Sequence, residues 1–244
     1  MQVSKQDSRL GFIDIGARGG VSPLAQQYAD KLLQVLVEPE AAEAERLRSA
    51  SENGNKYRVI GSGLAHVDGE LLFHETVNPY CSSMLRVNHE VLDQNENLIE
   101  HFAFKQSVPV MCHRYDTLYY KDNLPQPHII KVDVQGFEHQ VLQGFGGLLQ
   151  QTLGIVLETH LYPIYHDQML FGDIIKYLAG YDLVLRRITN DRSSDLNGDH
   201  HFNMDLVEID AVFTKSRGWA SHQPREMVEN LNFACALLGA VPNR

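Results

Sequence analysis

Two stretches more than a hundred residues apart share one pattern: a short apolar run, an acid near its end, and a glycine close behind. Gly11-Phe12-Ile13-Asp14-Ile15-Gly16 is the first. His128 to Val134, with Asp133 and then Gly136, is the second. Apolar runs this short that break at glycine read as buried strands. Between and after them, strand-like and helix-like segments alternate. Pro23 to Leu36 carries apolar residues near helical spacing, and Gln34 to Val37 reads as a strand stopped by Glu38-Pro39. Glu40 to Asn53 is charged and Ala-rich and predicts a helix; Tyr57 to Ile60 predicts a third strand. After residue 128 the alternation resumes. Phe137 to Leu149 predicts a helix, Gly154 to Leu157 a strand ending in Glu158-Thr159-His160, and Asp173 to Ala179 a helix. Tyr181 to Ile188 and Leu206 to Phe213 predict strands, and Pro224 to Leu238 a C-terminal helix. Strands alternating with helices predict an α/β domain: a doubly wound, mostly parallel sheet with helices on both faces. In the middle, Gly69 to Thr76 and Val108 to His113 are β-like and predict a hairpin insert around residues 69–120. The polar stretch Asn88 to Gln106 reads as a surface segment.

Length and charge narrow the classes. At 244 residues the chain suits a single domain, residues 1–244, with a core large enough to need no disulfide. A formal charge of −10 disfavours binding to phosphate backbones, so no nucleic-acid partner is expected. No apolar run approaches the roughly 18–20 residues of a membrane span. Met1 to Leu10 is polar, unlike a secretory signal. Cys81, Cys112 and Cys235 are odd in number and have no zinc-ribbon spacing. They fit buried thiols in a reducing, cytoplasmic setting. Homo-oligomers remain open.

In doubly wound sheets ligands bind beyond the carboxyl ends of the strands. There the chain places Asp14, Glu38, Asp133, and Glu158 with His160. Asp14-Ile-Gly16-Ala-Arg-Gly-Gly20 leaves the first strand and enters a helix, and its glycines permit close approach to a ligand. Counted from Gly16, the third and sixth places are Arg18 and Val21, so the dinucleotide fingerprint fails. No Walker lysine follows. An acid ahead of glycines suits a cationic ligand such as the amino and sulfonium groups of S-adenosylmethionine. Glu38, at the end of the second strand, can accept both hydrogen bonds of a ribose diol.

Ile130-Lys131-Val132-Asp133-Val134-Gln135-Gly136-Phe137-Glu138, followed by Val141-Leu142-Gln143-Gly144, resembles the signature of the FkbM-type methyltransferase family. Further matching pieces come in the family's order: Phe12 to Gly20, Val37-Glu38-Pro39, Ser82-Ser83-Met84-Leu85, Tyr115-Asp116-Thr117-Leu118 and Val156-Leu157-Glu158. The resemblance implies a class I methyltransferase fold: a Rossmann-like, seven-stranded, mostly parallel sheet with an antiparallel last strand. It also implies S-adenosylmethionine as cofactor and O-methylation of a hydroxyl on a sugar, glycolipid or secondary metabolite, so a small-molecule or glycan acceptor is the expected partner. The chain departs from the family at Arg18, often asparagine, and at Gln135, more often glutamate. Its segment before the first strand is shorter than in most members. Selection of substrate is therefore expected from the insert, the C-terminal part or a partner chain.

On this reading Asp14, Gly16, Gly20 and Glu38 contact the cofactor, and Ser62, Gly63 and Leu64 contact its adenine. Ser82 and Ser83 are weaker candidates for the same ligand. His160 is the first choice for general base, because an imidazole titrates near neutrality. His166 is an alternative. Asp133 orients the acceptor hydroxyl, with Lys131, Glu138 and Glu158 on the substrate side. Lys131 and Asp133 lie on one side of their strand and could instead simply pair. Glu138 could instead serve the helix dipole, and Asp116 reads as a helix cap. His200-His201, with Asp199 and Asp205, read as a solvated loop, and no metal ligand is assigned. Two rival readings are a non-catalytic relative that binds a ligand or partner in the same cleft, and a nicotinamide-dependent oxidoreductase.

Overall fold

The computed structural model describes residues 8–52, 57–92, 99–189 and 208–240. Among the described residues ten strands form two sheets. The main sheet holds β1 (Leu10–Ile15), β2 (Leu32–Val37), β3 (Tyr57–Ile60), β7 (Ile129–Val132), β8 (Gly154–His160), β9 (Leu183–Thr189) and β10 (Glu208–Lys215). Its order is β3-β2-β1-β7-β8-β10-β9. The pairs from β3 through β8 are parallel, and β10 runs antiparallel to both β8 and β9. This is the seven-stranded class I methyltransferase architecture. Chain order reverses direction across the sheet where β1 meets β7, which is the switch point at which such sheets open a crevice.

The strands read as continuous apolar runs because both faces are covered. All six residues of β1 are buried. Period-two alternation then sorts their side chains between two cores. Ile13, Ile15, Ile130, Val132, Ile155 and Leu157 pack with Val141 and Leu142 of the helix Glu138–Gln143 and with Ile174 and Leu178 of the helix Phe171–Ala179. Phe12, Leu32, Ile129 and Val212 face the other way, against Leu231, Ala234, Cys235 and Leu237 of the helix Arg225–Leu237.

Several elements differ in length from the sequence reading. Pro23 to Leu36 does not continue as one helix. Pro23–Gln26 is a single turn, Ala29–Lys31 a 3₁₀ turn, and β2 begins at Leu32. The segment after Phe137 is also split: helix Glu138–Gln143 stops at Gly144, and a 3₁₀ run Gly146–Gln151 follows. Gly146 has φ +51, which no helix continues through. β8 runs three residues past Leu157, because β10 pairs with it as far as His160. Arg114, not Asp116, stands at the N-cap of Tyr115–Asp122, and Asp116 instead forms a two-pronged pair with the Arg114 guanidinium.

The second sheet has the order β4-β6-β5, with β4 (Gly63–Leu64), β5 (Gly69–Thr76) and β6 (Phe104–His113). β5 and β6 are antiparallel, and Leu71 and Val110 turn inward against the main core. No helix among the described residues is long and apolar enough to cross a membrane. His200, His201, Asp199 and Asp205 lie outside the described residues.

Candidate active site

A cleft of about 790 Å³, counted to its open mouth, lies across the carboxyl ends of β1, β2 and β7. Ile15, Gly16 and Arg18 line it from the first strand; Val37, Glu38 and Pro39 from the second; Asp133, Val134, Gln135 and Phe137 from β7. The small sheet and the loop after it supply Gly63, Leu64, Phe73, Pro79, Tyr80, Ser82 and Met84. Polar groups therefore sit on the main-sheet edge, and the insert closes the other side with mostly apolar ones.

The glycine loop is fixed by its neighbours. The amides of Gly16 and Ala17 both donate to the Val37 carbonyl, 3.1 Å each. Gly16 has φ +77, and a Cβ there would stand 1.9 Å from the Asp133 carbonyl oxygen. Only glycine lets β1 and β7 end this close together. On the outer side, the Gly19 amide donates to Glu43 at 2.8 Å, and Arg18 reaches Glu40 at 3.8 Å. The helix Ala41–Glu52 thus holds the loop from outside.

Glu38 is buried on the cleft wall. One carboxylate oxygen accepts the Glu40 amide at 2.9 Å, and burial pushes its pKa up. An ionised carboxyl offers about four acceptor sites, so capacity remains for a ligand's hydroxyls.

Asp14 does not line the cleft. It stands opposite Lys131 in the β1–β7 register, and the two side chains meet at 3.3 Å. Asp14 also accepts the Ser22 amide at 3.3 Å. Burial raises the Asp14 pKa, and the Lys131 charge pulls it partly back. Lys131 reaches Asp133 as well, at 3.7 Å. Burial lowers the lysine's pKa and the two carboxylates more than restore it, so the ammonium stays charged. Lys131 therefore anchors Asp133, whose carboxylate faces the cleft with 32% of its side chain exposed.

The turn after β7 is strained. Gln135 takes φ +56 and Gly136 φ +91. A non-glycine residue in the left-handed region costs roughly 1–3 kcal/mol and persists only where its surroundings hold it. Here the Gln135 amide donates to Asp133 at 3.4 Å and to Glu158 by a short contact. Its carbonyl oxygen lies 3.0 Å from the Tyr165 hydroxyl, which donates to it. Glu138 is buried and turns back to accept the Gly136 amide at 2.9 Å. Burial pushes its pKa up to about 7.

Of the sequence candidates, the cleft gathers Gly16, Glu38, Gly63, Leu64, Asp133 and Ser82 on its walls. Asp14, Gly20, Ser62, Ser83, Lys131, Glu138, Glu158 and His160 are not among its lining residues. The Ser83 hydroxyl instead accepts the Leu85 amide at 3.0 Å. His160 is fully buried, edge-on to Tyr165 at 5.8 Å, because β8 stays paired to its last residue. His166 is held outside, its amide on the Arg86 carbonyl. Phe73, Pro79 and Tyr80 are lining residues that sequence reasoning missed. The alternation Leu71–Phe73 along β5 was the available signal for Phe73; nothing local marked Pro79-Tyr80.

Among solved structures the chain is similar to several methyltransferases. One is the precorrin-6y C5,15-methyltransferase from Geobacter metallireducens GS-15, at 10% identity over 85% of this chain and 81% of that one, TM-score 0.40. Another is a TehB-like SAM-dependent methyltransferase from Corynebacterium glutamicum ATCC 13032, at 13% identity over 85% and 80%, TM-score 0.38. A third is the N-methyltransferase NodS from Bradyrhizobium japonicum WM9, at 8% identity over 86% of each, TM-score 0.41. No curated protein matches the chain in sequence. The family model of the methyltransferase FkbM domain matches residues 14–184, from the buried acid of β1 to the start of β9. The chain belongs to the methyltransferase FkbM domain family.

Proposed function

We propose that the cleft binds S-adenosylmethionine and that the protein transfers its methyl group to a hydroxyl oxygen of a sugar, glycolipid or secondary metabolite. The observation that carries this reading is the pairing of a glycine-bounded loop with a buried carboxylate, Glu38, on one cleft wall. Such a wall matches a nucleoside: the carboxylate takes the ribose diol, while Gly63, Leu64 and Met84 give a flat apolar slot for the base. S-adenosylmethionine supplies an activated methyl, so the protein has little covalent chemistry to perform.

What remains for the chain is placement and proton transfer. Asp133 is the ionisable side chain of the β7 end that faces the cleft. It is the group we assign to hold the acceptor hydroxyl and to take its proton. Lys131 and the Gln135 amide fix the Asp133 carboxylate in place. On this reading Lys131, Glu138 and Glu158 serve the site as supports, and His160 lies outside the cleft's lining.

Incubation with S-adenosylmethionine labelled in its methyl group, against a panel of sugars, glycolipids and phenolic or polyketide alcohols, tests the assignment. Label should appear on oxygen of one class. Label on nitrogen or carbon acceptors only would overturn the O-transfer reading. Cofactor binding with no transfer to any acceptor would favour a non-catalytic binding role for the same cleft.

A further inference from the structure

The ends of β8 and β10 bring together three donor atoms that the cleft does not use. Glu158 and His160 lie two residues apart on β8 and so point to one face. Glu208 opens β10 directly across from His160 in the antiparallel register. Directly opposed residues share a face. One ligand atom from each side chain, an imidazole nitrogen and two carboxylate oxygens, lies within 4.8 Å of the others. His160 Nε2 and Glu208 Oε2 are 3.8 Å apart. Donors about 2.0–2.2 Å from a shared ion stand about 3–4.4 Å from each other. The His160–Glu208 separation falls within that range, and the trio as a whole is gathered within 4.8 Å.

The setting supports the same conclusion. His160 is 0% exposed and Glu158 3%. The Glu208 side chain keeps 29% exposure, so an ion can reach the two buried donors from the strand start. All three donors ride on paired strands, so their separation is set by the sheet and not by a loop. The Glu158 carboxylate is also oriented from outside the trio, by the Gln135 amide that Tyr165 holds in turn. Metal-ligating carboxylates are commonly fixed by such outer partners.

The geometry points to a divalent transition-metal site formed by Glu158, His160 and Glu208, one ion per chain, joined through Gln135 to Asp133 on the cleft floor. One imidazole with two carboxylates suits Mn²⁺, Fe²⁺ or Zn²⁺ better than Mg²⁺ or Ca²⁺, which prefer oxygen throughout. Binding of the ion does not depend on methyl transfer, so the two readings can fail separately.

The test uses the full chain, stripped with chelator and titrated with Mn²⁺ by calorimetry, with electron paramagnetic resonance to detect nitrogen coupled to the bound ion. One Mn²⁺ should bind per chain, raise the melting temperature and show imidazole nitrogen coupling. Mg²⁺ should bind at least about tenfold more weakly. His160→Ala should remove the nitrogen coupling, and Glu208→Gln should weaken Mn²⁺ by about tenfold or more. Circular dichroism checks that both variants fold. If His160→Ala does not, Glu208→Gln at the partly exposed strand start decides alone. No Mn²⁺ or Zn²⁺ binding at millimolar concentration, binding without nitrogen coupling in the unsubstituted protein, or unchanged affinity in the folded variants overturns the site.

Discussion

Gly16 and Glu38 show how much a single position decides in this cleft. Gly16→Ala must hold a left-handed backbone, costing about 1–2 kcal/mol, and also push its Cβ into the Asp133 carbonyl. Gly19, at φ +91, has nothing within 4 Å of its notional Cβ. Gly19→Ala therefore suffers only the backbone cost. Calorimetric melting should show Gly16→Ala falling well below Gly19→Ala, by more than the roughly 2–4 °C that each 1 kcal/mol costs in a domain of this size. Equal melting temperatures would mean that β1 and β7 do not meet as closely as described. Asp133→Asn keeps the shape and removes the charge. It should lower turnover by about 10²–10⁴ while leaving affinity for S-adenosylhomocysteine within a few fold. A kcat unchanged by that substitution would leave placement alone to carry the reaction. At this scale the sequence showed which acids end strands, and not where they point. Asp14 was legible as a site-edge acid. Its pairing with Lys131 follows from the β1–β7 register, which no single-strand pattern reveals.

Strand length and turn shape decide the fate of the residues between. β8 was expected to deliver Glu158, Thr159 and His160 at its end to the cleft edge, where Asp14 and Asp133 also emerge. Pairing with β10 keeps all three in the sheet, with His160 opposite Glu208. An antiparallel partner roughly fifty residues away in sequence cannot be read from the apolar run Gly154 to Leu157. The turn after β7 carries its own test, because Glu138 titrates inside it. Its folded pKa, about 7, stands above the ordinary 4.5. Between those values the folded state binds more protons than the unfolded one, so stability falls as pH rises from about 4.5 to about 7 and levels above. The full effect is at most about 3 kcal/mol. His128, buried with a pKa of about 4, works in the opposite sense between about pH 4 and 6.5. Denaturant unfolding of the native chain and of Glu138→Gln across this range cancels that second effect in the difference. The native chain should lose stability relative to Glu138→Gln as pH rises toward 7. A difference that stays flat across pH would place the Glu138 carboxyl in water.

For the molecule as a whole, the strand–acid–glycine pattern and the alternation of elements carried the reading from sequence to a doubly wound, mostly parallel sheet, while the class I architecture with its antiparallel last strand was implied by the resemblance to FkbM-type methyltransferases. The wall formed by Phe73, Pro79, Tyr80 and Met84 was much less visible. It comes from a separate small sheet folding over the cleft, a tertiary event with no local periodicity of its own. The same limit hid the Glu158–His160–Glu208 cluster, whose third member lies on another strand. The central claim is that this cleft, and Glu38 within it, holds the nucleoside of S-adenosylmethionine. Its most direct test is calorimetric titration of S-adenosylhomocysteine into the native chain and into Glu38→Ala. The account predicts one site of micromolar affinity, a raised melting temperature because only the folded state binds, and a loss of about 1–3 kcal/mol in the variant, or roughly tenfold to hundredfold in Kd. No heat and no thermal shift at millimolar ligand, or equal affinity in a well-folded Glu38→Ala, would contradict it.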